Sequence, residues 1–318
     1  MRSSLFLYVG RRALWTLPTL LLVSVLVFVL MRLIPGDPAL LILGDSATPE
    51  QLAGLRAQYG LDQPLFQQFG IWLGRVVRGD LGQSITSGEA VLPLLLERFQ
   101  VSAAIVLVAV ALAVLLAVPA GLYAAWKQNS FWDTLVVAGA TFLLSIPSFW
   151  LGLLLLLAVG MKLGWVPVVG YVPFAQDWKA SVSFLVLPII TLTMIEVGVL
   201  ARMARASAIE VLRLEYVTHA RAKGLPERRV LLRHVLPNAF APTWTLIGLI
   251  LGNLLGGIAV LETVFTLPGL GRLLVDSIFA RDYPVVQGCL LFMATIYVVV
   301  NLVVDLCYPL FDPRVAAS

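Results

Sequence analysis

Histidine and cysteine, two common catalytic and metal-binding residue types, are scarce in this sequence. The 318 residues include two histidines, His219 and His234, and two cysteines, Cys289 and Cys307. The His-Glu-x-x-His pattern of helical zinc sites and the Gly-x-x-x-x-Gly-Lys-Ser/Thr phosphate loop are both absent from the sequence. A helix joining the two cysteines would hold them roughly 27 Å apart, far beyond disulfide reach. The sequence therefore predicts a protein that is not an enzyme and that binds no metal or cofactor of its own.

Polar side chains inside long apolar runs are the remaining candidates. Glu196 and Asn253 lie in two such runs, and Asn301 and Asp305 lie one helical turn apart in the last. A charged side chain at the centre of a membrane helix costs about 2.5 to 3.5 kcal/mol, so it must face protein or water. Glu196, Asn253 and Asn301 are therefore predicted to line a pathway, and Asp305 is expected to pair with an arginine. Alternatively, Glu196 and Asp305 could form the relay of a proton-coupled transporter, although no internal repeat supports this reading.

The elements that position these residues follow from composition. Hydrophobic residues make up 60% of the chain, charged residues 13%, and the mean hydropathy is +0.94, whereas soluble domains are roughly a quarter charged. A span needs about 20 apolar residues, and its backbone must satisfy its own hydrogen bonds. The sequence thus predicts an all-α integral membrane protein with about six transmembrane helices, surrounded by lipid, over residues 13–31, 101–126, 134–161, 182–200, 240–261 and 285–310.

Basic residues between the runs predict the orientation. They concentrate in the loop 201–238, which places that loop and both termini in the cytoplasm. The net charge of +4 is thus explained without nucleic acid as a partner. We divide the chain into a cytoplasmic N-terminus with the first span (1–34), an extracytoplasmic loop subdomain (35–99), a five-helix core (100–310) and a cytoplasmic tail (311–318).

The loop 201–238 carries the most specific local pattern. Gly224 can end a short helix in the left-handed conformation, and Pro226 suits the start of a second one. That second helix is predicted to run to Leu236, where Pro237 breaks it. Two short helices with a basic side form a surface that another protein could bind. Periodicity alone favours a solvated basic loop over such a surface.

The spacing in this loop resembles a known family. Permeases of binding-protein-dependent ABC importers carry Glu-Ala-Ala, three residues, Gly, nine residues and Ile-x-Leu-Pro. The matching residues here are Ala220, Gly224, Leu236 and Pro237. The departures are Thr218, His219 and His234.

Further strings resemble motifs of the dipeptide and oligopeptide branch, which also includes importers of glutathione and nickel chelates. They are Ile-Pro-Gly-Asp-Pro at 34–38, Gly-Leu-Asp-Gln-Pro-Leu at 60–65, Gly-Asp-Leu-Gly at 79–82, Leu-Pro-Gly-Leu-Gly at 267–271, Arg-Asp-Tyr-Pro-Val-Val-Gln-Gly at 281–288 and Asp-Pro-Arg at 312–314. Their order over nearly the whole length makes the resemblance strong.

The resemblance implies a type I permease fold and a multi-pass protein of the bacterial inner membrane that forms the path for di- or oligopeptides. It implies a second homologous permease subunit, cytoplasmic ATPase subunits that hold ATP and Mg, and an extracytoplasmic substrate-binding protein. It also implies that the loop couples transport to the ATPase through Glu215, His219, Ala220, Arg221, Ala222, Lys223 and Gly224.

Overall fold

Helices form nearly all of the structure, a computed structural model that describes residues 2–33, 40, 47–59 and 62–310. Within these residues the only extended pairing is an isolated bridge between Gln83 and Ala90. The helices are α1 (Arg2–Leu33), α2 (Pro49–Tyr59), α3 (Leu65–Val77), α4 (Val91–Trp126), α5 (Phe131–Ser145), α6 (Ser148–Leu155), α7 (Trp178–Leu212), α8 (Glu215–Ala222), α9 (Glu227–Val230), α10 (Leu236–Gly257), α11 (Ala259–Val264), α12 (Leu270–Phe279) and α13 (Tyr283–Cys307). The predicted motifs at 34–38 and 312–314 and the tail 311–318 lie outside the described residues, as does the start of the motif at 60–65.

The predicted membrane spans correspond to long apolar helices, with one exception. Five segments of the described chain are long and apolar enough to cross a membrane, and a sixth counts if α5 and α6 form one broken span. The all-α membrane fold is thereby confirmed.

The exception is the run 134–161, which is not one continuous helix. The axes of α5 and of α6 with its π-helical extension (Leu156–Lys162) differ by 96°. Ile146 is extended, with φ −95° and ψ 125°, because the ring of Pro147 disfavours helical backbone in the preceding residue. The Ser145 hydroxyl donates to the carbonyl of Thr141 at 2.9 Å. The proline therefore turns the chain instead of bending a single span.

The centre of the fold is the pair α4 and α7, which pack along most of their length. Close approach is possible because Gly121 faces α7: a Cβ at this position would lie 2.6 Å from the carbonyl oxygen of Ala201. Further along the same interface the Thr193 hydroxyl donates to the carbonyl of Ala109 at 3.3 Å. The α10 helix packs against both, so three helices surround the main hydrophobic core.

The first span packs on the last, and the segment after it folds back on α1. Arg12 and Asp305 form an ion pair at 2.8 Å between α1 and α13. Phe28 of α1 contacts Phe69 and Trp72 of α3, with ring centroids 5.4 and 5.7 Å apart. The helix α3 therefore packs on the C-terminal end of α1.

Candidate functional site

The helix α8 is fixed to the rest of the chain by its apolar face. Val217 and Ala220 are buried there, with exposures of 0% and 6%. They belong to a hydrophobic cluster, here called the loop-end cluster, which joins α8 to the adjacent ends of α4, α7, α9 and α10: Leu122, Ala125, Ala208, Val211, Val217, Ala220, Val230, Leu231, Val235 and Ala239. Residues three positions apart on a helix lie on the same face. Val217 and Ala220 therefore pack α8 onto this cluster together.

The opposite face of α8 is exposed and polar. The exposed predicted coupling residues are Glu215, His219, Arg221, Ala222, Lys223 and Gly224. Ala220 is the exception, because its side chain packs inward. Of the two alanines in Ala-Arg-Ala-Lys-Gly, Ala222 alone therefore faces solvent, where a partner could approach closely.

The turn after α8 has the predicted backbone. Gly224 has φ +76°, the left-handed conformation that glycine adopts without strain. Its N–H donates to the carbonyl of Arg221 at 2.9 Å. Across this turn the Arg221 guanidinium binds both carboxylate oxygens of Glu227, at 2.8 and 3.2 Å. Arg221 thus already has a partner inside its own loop.

Pro237 does not end the second helix of the loop, contrary to the prediction. The helical path continues from α9 through a π turn (Leu231–Val235) into α10, with Pro237 in its first turn. Proline lacks an N–H but fits this position. The carbonyl of His234 in the π turn accepts from the Asn238 amide at 2.8 Å and from the Tyr216 hydroxyl at 3.3 Å. Burial raises the pKa of Tyr216. Through the Tyr216 hydroxyl, α8 is hydrogen-bonded directly to the π turn that leads into α10.

An ion pair that the sequence reasoning missed fixes α5 beside this loop. Asp133 has an exposure of 4%, and both of its carboxylate oxygens bind the guanidinium of Arg205 on α7, the second at 2.8 Å. Asp133 also accepts from the N–H of Asn129 at 2.9 Å. One local pattern could have indicated a role for Asp133: Ser130 lies three residues before it, as in a helix N-terminal capping box. The Ser130 hydroxyl does accept a hydrogen bond from the Asp133 N–H.

The predicted pathway residues lie on three helices and are not brought into one cluster. Glu196 on α7 is 7% exposed and forms no hydrogen bond or ion pair with the residues that the structure describes. Asn253 on α10 is exposed, and Asn301 on α13 donates to the carbonyl of Tyr297 at 2.9 Å. Asp305 pairs with Arg12, as a structural role predicts. Glu196 is therefore the strongest of these candidates.

Two buried carboxylates at the opposite end of the fold were also missed. Asp282, with an exposure of 2%, accepts from the Ser84 hydroxyl and from the N–H groups of Ile85 and Thr86. It thereby joins the motif 281–288 to the residues that follow the distant motif 79–82. Glu262 is fully buried, and desolvation raises its pKa, partly offset by its hydrogen bonds.

Among the described residues, no group of three or more His, Cys, Asp or Glu side chains could hold a metal ion. Cys289 is buried and Cys307 is partly buried, and neither forms a disulfide.

Comparison with known proteins covers almost the whole sequence. A family described as "binding-protein-dependent transport system inner membrane component" matches residues 117–317. A second family, which describes the N-terminal part of a binding-protein-dependent transport system membrane component, matches residues 5–111.

Three relatives align over nearly their full length. A putative peptide transport system permease protein of Brucella abortus is 42% identical over 305 residues, 96% of this chain and 97% of the relative. A glutathione transport system permease protein of Escherichia coli O6:H1 is 42% identical over 308 residues, 97% and 98% of the two chains. A dipeptide transport system permease protein of Alkalihalophilus pseudofirmus is 37% identical over 329 aligned positions, again 97% and 98%.

Proposed function

The chain belongs to the family of binding-protein-dependent transport system inner membrane components, and on this basis we propose that it forms the translocation path of an ATP-driven peptide importer. As a member it is a multi-pass transport component of the inner membrane, served by a substrate-binding protein. Peptides are proposed as substrates because the relatives are named for peptide, dipeptide and glutathione transport. The observation that carries the proposal is that the relatives with these names align over 96–97% of this chain.

ATP hydrolysis is assigned to partner subunits that bind ATP and Mg. The support is the absence of any phosphate-binding loop in the sequence, together with the exposed polar face of α8. On this assignment α8 docks in the ATPase subunit, with Ala222 at the contact and Gly224 ending the helix. A second homologous permease is proposed to complete the path.

The orientation proposed is cytoplasmic for both termini and for the loop 201–238. The basic residues of the loop support it, and so does the Arg12–Asp305 pair, which joins the start of the first span to the end of the last. The α11–α12 connection then lies outside, where the binding protein arrives.

Glu196 is proposed to meet the amino terminus of the peptide. A buried carboxylate without a protein partner costs free energy unless a cation or water faces it, and a peptide supplies an ammonium group. Neither the relatives nor the geometry favours the proton-coupled alternative, because Asp305, the second member of that relay, is paired with Arg12.

The test is reconstitution of the whole complex in proteoliposomes with its ATPase subunits and binding protein. Uptake of labelled dialanine, trialanine and glutathione is measured with ATP inside and with a proton gradient instead. ATP-dependent uptake of a peptide supports the proposal. Uptake driven by the proton gradient without ATP, or none of the three substrates transported, would contradict it.

A further inference from the structure

The fully buried Glu262 connects three parts of the chain. It lies on α11, and its Oε1 accepts a hydrogen bond from the Ser102 hydroxyl of α4 at 2.5 Å. Its Oε2 accepts from the N–H of Arg272 at 2.8 Å. A carboxylate that burial would otherwise destabilise thus accepts hydrogen bonds from two donors, one at each oxygen.

Ser102 completes the connection, because its oxygen accepts from the N–H of Leu270 at 2.8 Å. The N–H groups in the first turn of a helix have no partner inside the helix, and here Ser102 and Glu262 supply the acceptors. Gly269 is required beside them, since a Cβ there would lie 2.0 Å from the Glu262 carboxyl carbon. We call Glu262, Ser102 and the N–H groups of Leu270 and Arg272 the latch.

The helix that the latch holds also reaches the coupling loop. Ser102 and Ala125 belong to the same helix, α4, and at about 1.5 Å per residue they are roughly 35 Å apart. At Ala125, α4 contributes to the loop-end cluster, which also contains Val217 and Ala220 of α8. One helix thus contacts α12 at one end and shares the loop-end cluster with α8 at the other.

We propose that Glu262 and Ser102 are positioning residues that transmit movement of α12 along α4 to α8. The proposal rests on the proposed function, in which α12 is extracytoplasmic and α8 meets the ATPase. The α12 surface can meet a partner, since Phe279 at its end is 84% exposed. When the loaded binding protein displaces α12, the latch makes α4 move with it, and α8 follows through the loop-end cluster.

The test measures ATPase activity of the reconstituted complex with and without the binding protein loaded with trialanine. The central variant is Ser102→Ala, which removes one hydroxyl from the latch. Its matched control is Ser181→Ala on α7, because the Ser181 hydroxyl is buried and has no hydrogen-bond partner within the described residues. Ser102→Ala should lower the stimulation by the binding protein at least about fivefold and change the basal rate less than about twofold. Ser181→Ala should change neither.

A second variant separates geometry from charge. In Glu262→Gln the amide oxygen can still accept from the N–H of Arg272. The amide NH₂ can donate to Ser102, whose own hydroxyl turns to the Arg98 carbonyl, 3.4 Å away. Stimulation should therefore stay within about twofold of the parent, whereas Glu262→Leu should lose it as Ser102→Ala does.

Three outcomes would overturn the inference. The first is that Ser102→Ala is stimulated like the parent. The second is that it loses basal and stimulated activity together, since the latch would then serve folding alone. The third is that Glu262→Gln is as defective as Glu262→Leu. Absence of stimulation in the parent complex would instead contradict the proposed function.

Discussion

The ion pair between Asp133 and Arg205 gives the sharpest stability prediction. Replacing Arg205 by Met keeps most of the side-chain volume but leaves the carboxylate of Asp133, 4% exposed, without its counter-charge. Removing one member of a buried pair typically costs about 3 to 5 kcal/mol. The Arg205 side chain retains 24% exposure, so water can partly replace it, and we expect a loss of about 3 kcal/mol, at the lower end of that range.

The assay is equilibrium unfolding of the purified chain in mixed micelles, followed by circular dichroism. A loss of about 3 kcal/mol corresponds to roughly a hundredfold shift in the unfolding equilibrium. Adding Asp133→Asn to Arg205→Met should recover at least half of the loss, because a neutral amide is less costly to bury than a carboxylate. Arg202→Met is the control, since Arg202 lies exposed on the same helix and should change stability by less than about 0.5 kcal/mol. Equal effects of Arg202→Met and Arg205→Met would refute the reasoning.

Three further predictions follow from the geometry. Arg221→Glu should cost up to about 1 kcal/mol in the same unfolding assay, as expected for an exposed pair, and adding Glu227→Arg should restore it; no recovery would mean that the pair contributes nothing. Glu196→Gln should lower peptide uptake at least about tenfold while expression stays normal, and unchanged uptake would remove Glu196 from the path. Single cysteines at Phe279 and Arg228 in a cysteine-free background should react with a membrane-impermeant maleimide from outside and from inside respectively, and labelling of both from one side would contradict the orientation.

Most of the helical framework could be predicted from the sequence, because hydropathy reports the requirement that every backbone group in lipid be satisfied. The break at Pro147 could not be predicted with the same certainty. A proline inside an apolar run is compatible with a kink or with a turn, and the choice depends on packing such as that of Gly152 against Phe265, where a Cβ would lie 3.1 Å from the ring.

The candidate coupling residues were found by spacing, but spacing did not show which of them face outward. Ala220 and Ala222 are both small, and only the rotation of α8 on the loop-end cluster buries the first and exposes the second. The latch was missed for a different reason. Ser102 and Glu262 are 160 positions apart. The serine lies in one apolar run and the glutamate directly follows a different apolar run, so no local periodicity connects them.

The measurement that tests the account most directly is the number of peptides transported per ATP hydrolysed by complexes containing Ala222→Asp. The new carboxylate lies on the exposed face of α8, so insertion in the membrane should be normal, whereas the ATPase subunits should co-purify poorly or hydrolyse ATP with at least tenfold less transport. Ala280→Asp, also at an exposed alanine but beyond the end of α12, is the matched control and should retain both the ATPase subunits and the parent ratio. If Ala222→Asp assembles and transports like the parent, α8 is a solvated connection and does not couple ATP hydrolysis to transport.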